Sequence, residues 1–258
     1  MIKKEKRERR RFMYRFFVEP SQVGAEEIVI TGADVNHIKN VLRMRIGEEI
    51  AISDGQEREY YCIIDKLEEN QVIAHIKEMA EESKELPVKI TLFQGIPKSD
   101  KLELIVQKAV ELGACEIVPV AMKRSVAKIE PKKAEKKVER LNAIALSAAK
   151  QAKRSMIPEV LMPMSWKEAV QYGKTMDKCL VPYEDERGIA HGRALVKSLH
   201  GTKNIGVFIG PEGGFDEREI EEAKEAGFEI MTLGKRILRT ETAGLAILSI
   251  LMFELEEE

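Results

Sequence analysis

Residues 204–247 constrain the fold of this chain most strongly, because they contain the same pattern twice. Each half begins with a short, mostly apolar segment, 205–209 or 228–233, that predicts a buried strand and runs into a glycine, Gly210 or Gly234. A polar loop and a helical segment follow in each half. Successive strand–loop–helix units predict adjacent parallel strands, with a crevice at their carboxyl ends where a ligand can bind.

Both predicted helices of this stretch carry recognisable end signals. The first is expected to begin at Asp216, a residue type that caps helix N-termini well, and to end at Gly227, which suits a left-handed C-cap. The second is an apolar helix over 243–255, reached through a loop over 235–240. The length of this apolar segment is typical of a buried helix and too short for a bilayer span.

The two loops are more polar and richer in glycine than a simple connection needs. Three glycines within 210–214 let a ligand approach the backbone and expose amide groups to it. Tight turns alone would also use glycine, and the string matches neither the phosphate-loop nor the dinucleotide pattern. The second loop adds polar side chains that favour a binding or catalytic role. These side chains are Arg236, Arg239, Thr240, Glu241 and Thr242.

Two motifs together resemble the signature of a known family. GPEGGF at 210–215 and LGKRILRTETA at 233–243 are similar to the motifs of the ribosomal RNA small-subunit methyltransferase E (RsmE) family, whose members are SPOUT-class enzymes. The resemblance implies an α/β SPOUT domain with a mostly parallel sheet and a C-terminal trefoil knot, plus an N-terminal PUA-like β-barrel domain. It also implies a homodimer that methylates N3 of a uridine in 16S ribosomal RNA.

The resemblance further implies a cofactor, S-adenosylmethionine, bound at the two glycine loops largely through backbone groups. The residues expected around it are Ile209, Gly210, Gly214, Leu233, Ile237, Leu238, Arg239 and Ala243. Methylation of uracil N3 requires loss of its proton, so a base must take the proton or a cation must stabilise the developing anion. Arg239 suits the cation, and Glu212 or Glu241 suits the base. Alternatively, both glutamates cap helices and orient arginines.

Residues 12–84 predict a separate, β-rich domain that follows a basic tail over 1–11. Short apolar runs alternate with turn signals, which is typical of a small barrel, and one helical piece over 34–41 interrupts them. A polar segment ending in proline indicates the domain boundary near residue 84. The run from His37 to Arg43 resembles the family's H-x-x-x-V-L-R segment, so Arg43 is the expected RNA contact here. His37 taken alone is more typical of a structural histidine.

Residues 85–258 alternate predicted strands with longer helices, as a parallel α/β domain requires. Several positions in this part match family motifs, and the resemblance implies that they contact RNA. These positions are Lys98, Arg124, Gln151 and Arg154. Lys150 departs from the family pattern, which usually has glutamate there, so no acidic role is assigned to that position.

Two further carboxylates of this domain have alternative interpretations. Glu111 either forms an active-site ion pair with Lys98, or the two are an ordinary helix-end glutamate and a surface lysine. Glu184 follows another predicted strand end, where it either faces the cofactor or is solvated. Local sequence does not decide between these alternatives.

The net charge of −2 conceals an uneven distribution. Residues 1–11 contain seven Lys or Arg against two Glu, and residues 121–154 contain eleven against three. Such basic runs suit phosphate groups, although each run taken alone also suits a solvated helix face. Together with the family resemblance, they predict that the partner is 16S ribosomal RNA in the small ribosomal subunit.

The cysteines and the hydropathy indicate the compartment. Cys62, Cys115 and Cys179 are scattered, with no C-x-x-C spacing, and the four histidines lie far apart. This predicts small buried thiols in a reduced, cytoplasmic protein and no metal site. No apolar run reaches the length of a membrane span, so no membrane association is expected.

Two other functions compete with uridine methylation. Enzymes of the same class that methylate ribose 2′-oxygens usually carry N-x-G-x-x-x-R early in the catalytic domain, where this chain reads KLELIVQKAVELG. A non-catalytic ribosome-assembly protein would use the N-terminal domain alone to bind RNA. It would not require intact GPEGG and RILRTETA loops, and it would not bind S-adenosylmethionine.

Overall fold

The computed structural model describes residues 13–81, 83–98, 100–127, 129–183 and 187–256. The chain forms two compact units. The first contains the residues up to Glu85 together with Lys153–Ile157, and the second contains Leu86–Ala152 and the chain from Pro158 onward. The predicted basic tail over 1–11 and Glu184 lie outside the described residues.

The first unit is built around one sheet. Its strands are β1 (Arg15–Phe17), β2 (Glu27–Thr31), β3 (Glu49–Ser53), β4 (Glu59–Leu67) and β5 (Gln71–Met79), and its helix is α1 (Ala33–Asn36), continued by a π-helical turn (His37–Val41). The strand order is β1-β3-β4-β5-β2, with β1 and β3 parallel and the other pairs antiparallel. The sheet curls into a half-barrel around buried Phe16, Ile28 and Ile64. The barrel predicted from the turn signals is therefore a half-barrel.

The segment Lys153–Ile157 belongs to the first unit because its polar groups are satisfied there. The Glu85 carboxylate accepts hydrogen bonds from the backbone N–H groups of Ser155 and Met156 at 2.7 and 3.2 Å. The same carboxylate accepts a bond from Nε of Arg154 at 2.9 Å and pairs with its Nη2. The predicted continuous domain over 85–258 thus differs from the observed unit at Glu85 and at these five residues.

The second unit is an α/β domain. Its strands are β6 (Lys89–Gly95), β7 (Ala114–Ala121), β8 (Glu159–Val160), β9 (Met164–Ser165), β10 (Lys178–Pro182), β11 (Asn204–Ile209) and β12 (Glu229–Met231). Its helices are α2 (Lys101–Glu111), α3 (Pro131–Ala152), α4 (Trp166–Gly173), α5 (Gly188–Lys197), α6 (Glu217–Glu225) and α7 (Thr240–Leu255). The strand pairs are all parallel, as predicted.

The order of the strands corrects one expectation. The sheet runs β12-β10-β11-β6-β7-β8, with β9 paired to β7, so β10 lies between the two glycine-terminated strands that were expected to be adjacent. Backbone pairing between distant segments decided this order, and local pattern carries no information on it. The carboxyl ends of all these strands still lie along one edge of the sheet, where a ligand crevice is expected. The trefoil knot stays a prediction.

Local signals located most helices well, with two exceptions. Asp216 caps α6 by accepting the N–H of Arg218, and Gly227 adopts a left-handed φ of +81° just beyond its end. Helix α7, however, begins at Thr240, three residues before the predicted start. Helix α5 was not predicted, because two glycines weaken its helical propensity. One of them, Gly192, is needed because a Cβ there would lie 3.2 Å from the carbonyl oxygen of Thr232.

One carboxylate of the α/β domain, that of Glu116, lies in an environment that disfavours its charge. Burial raises the pKa of Glu116 on β7 above its ordinary value, with a further contribution from Glu159 on the neighbouring strand. Hydrogen bonds from the hydroxyls of Tyr172, at 2.8 Å, and Thr91 only partly offset this effect. At neutral pH the half-buried carboxylate therefore costs stability.

Glu116→Gln is expected to raise the melting temperature at pH 7, because the neutral amide avoids burying a charged carboxylate. A raised pKa means that the neutral form stabilises the fold below the ordinary value of 4.5, and that this contribution is lost as the pH rises. The gain should therefore shrink towards pH 4. Thermal unfolding at pH 7 and at pH 4 measures this gain. An equal gain at the two pH values would contradict burial of the charged carboxylate as its cause.

None of the helices in the described part of the chain is long and apolar enough to cross a membrane.

Candidate active site

The site is built on the carboxyl ends of β6 and β11, which approach each other very closely. A Cβ added to Gly95, the last residue of β6, would lie 2.6 Å from the backbone nitrogen of Pro211 and 3.0 Å from the carbonyl carbon of Gly210. Gly214 has a φ of +68° and donates its N–H to the carbonyl of Pro211 at 2.9 Å, which closes the glycine-rich turn. Glycine is required at both positions, for different reasons.

Thr240, the first residue of α7, connects this turn to the sheet. Its hydroxyl donates to the carbonyl of Gly210 at 2.6 Å and accepts from Nε2 of Gln94 at 2.9 Å. Both Thr240 and Gln94 are buried. Oε1 of Gln94 has no hydrogen-bond partner within the described ranges, which leaves one buried acceptor available beside the turn.

Thr240→Val is expected to lower the free energy of unfolding by about 2 kcal/mol, because the nearly isosteric side chain leaves the Gly210 carbonyl and a Gln94 N–H buried without a partner. Denaturant unfolding of the full chain measures the loss. Thr242→Val, an exposed threonine of the same helix turn, is the matched control and should be almost neutral. Equal effects of the two substitutions would show that the buried hydroxyl has no special role.

A lysine that the sequence motifs did not single out joins the two predicted glutamates. Nζ of Lys101 lies 3.2 Å from Oε1 of Glu212 in the glycine-rich turn and 3.3 Å from Oε2 of Glu241 in the first turn of α7. Oε1 of Glu212 also accepts the backbone N–H of Lys98 at 3.0 Å. The two glutamates therefore orient a lysine, and not arginines as the alternative interpretation proposed.

This network makes Glu212 a poor general base. Burial acts to raise its pKa, but the hydrogen bond from the N–H of Lys98 and the ammonium of Lys101 outweigh burial and hold the pKa below its ordinary value. A base for proton abstraction near neutral pH needs a pKa raised towards that pH. Glu212 is thus suited to position Lys101, and its role as the base stays a prediction.

The predicted ion pair between Lys98 and Glu111 is not formed. Oε1 of Glu111 lies 2.8 Å from Nζ of Lys108, one turn earlier on α2, because residues three apart on a helix are neighbours. Lys98 instead contributes its backbone N–H to Glu212, as described above. The cation of the cluster is Lys101, the first residue of α2.

The loop from Leu233 to Arg239 presents backbone and charge to the crevice. The N–H groups of Leu233, Ile237 and Leu238 donate to no group in the described ranges. The side chain of Ile237 is 94% exposed, so only its backbone suits a cofactor contact. The guanidinium of Arg239 is exposed and makes no ion pair with the described part of the chain. Free donors of this kind fit S-adenosylmethionine, which is expected to bind largely through backbone groups.

The remaining predicted cofactor residues surround the same edge. Ile209 is buried at the end of β11, Gly210 and Gly214 are half-buried, and Ala243 is half-buried in the first turn of α7. They are brought together by the pairing of β11 with β6 and by the contacts of α7 with β11. Their roles as cofactor contacts stay predictions.

The predicted RNA contacts belong to different units of the chain. Arg124 lies beside the glycine-rich turn, with Nη1 3.5 Å from the carbonyl oxygen of Gly213 and Nη2 3.7 Å from Asp216. Gln151 is exposed near the end of α3. Arg43 is exposed in the first unit, where its φ of +53° is unusual for a residue other than glycine.

The structure corrects the prediction for Arg154. This arginine is only 6% exposed, and its guanidinium pairs with the equally buried carboxylate of Glu85. A guanidinium held in this way stabilises the first unit and is not presented to RNA phosphates. Its proximity in sequence to exposed Gln151 did not reveal this, because the helix α3 ends at Ala152 and the chain enters the first unit immediately afterwards.

Sequence reasoning missed Gly95, Gln94 and Lys101. Gln94 had a usable signal, since it is the polar residue near the end of an otherwise apolar strand, KITLFQG. Lys101 had none, because a lysine in a first helix turn is common on protein surfaces. Within the described ranges, no group of three or more His, Cys, Asp or Glu side chains is placed to hold a metal ion.

Comparison with known proteins agrees with this architecture. The RNA methyltransferase domain family matches residues 84–252, and the RNA methyltransferase PUA domain family matches residues 30–77. Together with the parallel sheet and its glycine-rich edge, these matches define an RNA methyltransferase with an N-terminal PUA domain. The half-barrel of the first unit accounts for the second match.

Several relatives share nearly the whole chain. Ribosomal RNA small subunit methyltransferase E of Bacillus subtilis (strain 168) is 39% identical, over 95% of this chain and 98% of its own. The protein of that name from Mesomycoplasma hyopneumoniae is 35% identical, over 92% and 98%. The crystal structure of the Neisseria gonorrhoeae enzyme, bound to S-adenosylmethionine, has a TM-score of 0.79 at 33% identity, over 93% and 97%. The chain belongs to the ribosomal RNA small subunit methyltransferase E family.

Proposed function

We propose that this protein transfers a methyl group from S-adenosylmethionine to N3 of a uridine in the RNA of the small ribosomal subunit. The observation that carries this proposal is the pair of loops at the carboxyl edge of the sheet. One is glycine-rich, and the other has N–H donors and an arginine that bond to no group in the described part of the chain. The similar Neisseria gonorrhoeae enzyme binds S-adenosylmethionine. The predicted contacts, from Ile209 to Ala243, therefore stand as the proposed cofactor site.

In this proposal Arg239 is the group that acts on the reacting base. S-Adenosylmethionine, when bound, supplies an electrophilic methyl group. The uracil N3–H bond must break, its proton passes to solvent water, and negative charge develops on the ring oxygens until the N3–CH3 bond forms. The Arg239 guanidinium, which pairs with no group in the described ranges, can stabilise this charge. Glu212 and Glu241 contribute by fixing Lys101, and hence the two loops, through the contacts at 3.2 and 3.3 Å.

The proposed RNA contacts are those residues predicted from the sequence whose side chains are exposed, which leaves out the buried Arg154. Arg124 and Lys98 lie beside the glycine-rich turn, which is the appropriate place for phosphates that flank the methylated base. Gln151 and Arg43 are exposed and available. The small ribosomal subunit is proposed as the physical context of this RNA.

A homodimer is proposed from the outer face of α7. Phe253 is 85% exposed and Ile250 is 43% exposed, one turn apart on this helix. Large apolar side chains exposed together are typical of a protein interface. Ile247 and Leu251 on the same helix are fully buried and belong to the core, whereas Ala246 is half-buried.

A reducing, cytoplasmic location is proposed from the thiols. Within the described residues Cys62, Cys115 and Cys179 form no disulfide, and burial raises the pKa of Cys62 and of Cys179 to about 12. Such thiols are unreactive and suit a protein that needs no disulfide.

The test is methyl transfer from labelled S-adenosylmethionine to small ribosomal subunits that lack the modification, followed by digestion of the RNA to nucleosides. Label in 3-methyluridine supports the proposal. Label in a 2′-O-methyl nucleoside would retain the fold and refute the assigned chemistry. An absence of label, together with an absence of cofactor binding, would leave a protein that only binds RNA.

Arg239→Ala is expected to reduce kcat about 100-fold, the typical cost of removing one donor that stabilises developing negative charge. Arg236→Ala, in the same exposed loop, is the matched control and should change kcat only a few-fold. Single-turnover kinetics at saturating cofactor measure both. If the two variants behave alike, Arg239 has no direct role in the reaction.

A further inference from the structure

The second unit contains a cavity of about 280 Å³ that no part of the proposed function uses. Its apolar walls are Ile96 and Pro97 after β6, Leu102 on α2, and Ala127 and Ile129 before α3. Ile96 and Leu102 are buried, whereas Ala127 and Ile129 are partly open. The charged residues that complete the lining within the described ranges are Glu130, Lys133 and Lys137.

The cavity lies next to the candidate active site. Its walls Ile96 and Pro97 are the two residues between Gly95, which packs against Pro211, and Lys98, whose N–H binds Glu212. The loop that leads to Ala127 begins with Arg124, whose Cβ lies 3.0 Å from the position of a Cβ on Gly213. Two short segments of chain, 95–98 and 124–127, therefore connect the walls of the cavity to residues that contact the glycine-rich turn.

The charged part of the lining favours an anion. Lys133 pairs with Glu130 at 2.8 Å, but both side chains are more than 60% exposed, so this ion pair is weak. Lys137 and Arg140 share Glu103, at 3.1 and 2.9 Å, which leaves an excess of one positive charge there. On the same helix the exposed cations Lys132 and Lys136 are balanced by exposed Glu135 and Glu139, so the excess positive charge is the one beside Glu103. A phosphate can displace the exposed Glu130 from Lys133.

We propose that this cavity holds an unstacked nucleotide of the RNA, next to the uridine that is methylated, with its base against the apolar walls and its phosphate at Lys133. The proposal rests on the proposed function. Extracting a base from its stack exposes its neighbours, and an apolar pocket beside the active site offsets part of that cost. The apolar walls match the base of a nucleotide, and the amine of Lys133 at the edge matches its phosphate.

The lining of the cavity argues against the cofactor as its occupant. Within the described ranges it consists of apolar side chains with Glu130, Lys133 and Lys137 at its edge. The cavity also lacks the glycine backbone and free N–H groups that mark the proposed cofactor loops. Its occupant is therefore assigned to the RNA.

The first test fills the cavity. Ala127→Phe places a ring inside it, and Val126→Phe, at the neighbouring residue that is 68% exposed and outside the lining, is the matched control. Ala127→Phe is expected to raise the KM for RNA about tenfold, because the base can no longer be buried against the apolar walls, without changing the Kd for S-adenosylmethionine. Val126→Phe should change neither value.

The second test removes the amine and does not depend on the folding of the filled variant. Lys133→Ala should reduce the slope of log Kd for RNA against log salt concentration by about one, as expected when one phosphate contact is lost. Lys132→Ala removes the same charge from the same helix outside the cavity and should leave the slope nearly unchanged.

Several results would overturn the inference while leaving the proposed function intact. An unchanged KM for RNA in Ala127→Phe, or equal salt slopes in the two lysine variants, would exclude the nucleotide. A weaker Kd for S-adenosylmethionine in Ala127→Phe would assign the cavity to the cofactor, and a changed oligomeric state in sedimentation would assign it to a second copy of the chain. If the wild-type protein transfers no methyl group, the proposed function itself fails.

Discussion

Arg154→Ala is expected to lower the free energy of unfolding by about 3–5 kcal/mol, because it leaves the carboxylate of Glu85 buried without its charged partner. The side chains of both residues are less than 10% exposed. Glu85 also accepts the N–H groups of Ser155 and Met156, so disturbing it loosens the whole segment Lys153–Ile157 within the first unit. Denaturant unfolding of the full-length protein measures the loss.

Arg140→Ala is the matched control for this substitution. Arg140 also pairs with a glutamate, Glu103, at 2.9 Å, but its side chain is 67% exposed, so the loss should be below about 1 kcal/mol. Glu85→Gln combined with Arg154→Met should recover part of the stability, because neither partner is then left charged and buried. If Arg154→Ala costs no more than Arg140→Ala, the buried pair is not the role of Arg154 and the predicted RNA contact becomes the better assignment.

Gly95→Ala is expected to weaken S-adenosylmethionine binding by at least about 100-fold and to abolish methyl transfer. The added Cβ would meet the nitrogen and Cδ of Pro211 at 2.6 and 2.7 Å. These atoms belong to the backbone and to a proline ring, so the glycine-rich turn itself must move. Displacement of a binding loop by about 1 Å is enough for an effect of this size. Isothermal titration with the cofactor measures the change.

Gly244→Ala provides the control for Gly95→Ala. Gly244 lies in α7, and a Cβ there would meet Oε1 of Gln94 at 3.5 Å and Cγ1 of Ile209 at 3.7 Å, which are ordinary contacts. Alanine is also the better helix former by about 1 kcal/mol. The substitution should therefore preserve cofactor binding and slightly increase stability. Equal cofactor affinity in both variants would refute the argument that the turn requires the close approach of β6.

Gly95 and Gly210 show why the candidate active site was only partly predictable from the sequence. The sequence identified the glycine-rich turn, because three glycines at a strand end have a local meaning. It did not identify Gly95, because a single glycine that ends a strand has many local explanations. What makes Gly95 necessary is the backbone of Pro211, which lies against it only after β6 and β11 have paired.

Lys101 shows that the sequence was equally limited in predicting ion pairs. Its two partners, Glu212 and Glu241, are more than 100 residues away in the sequence, and both were recognised as candidate catalytic groups. Their tendency to act as bases, however, depends on which cation they meet. Once Lys101 and the N–H of Lys98 are in place, the pKa of Glu212 falls and its role becomes positional.

By itself, the sequence determined what short-range physical chemistry controls. It specified the cap of α6 at Asp216, the left-handed turn at Gly227, the alternation of strands and helices, and the two motifs that identify the family. Only the tertiary structure placed β10 between β11 and β12, buried Arg154 against Glu85, and brought Lys101 to its two glutamates. Capping and turn formation depend on neighbours within a few residues, whereas strand order, burial and ion pairing depend on segments that meet only when the chain has folded.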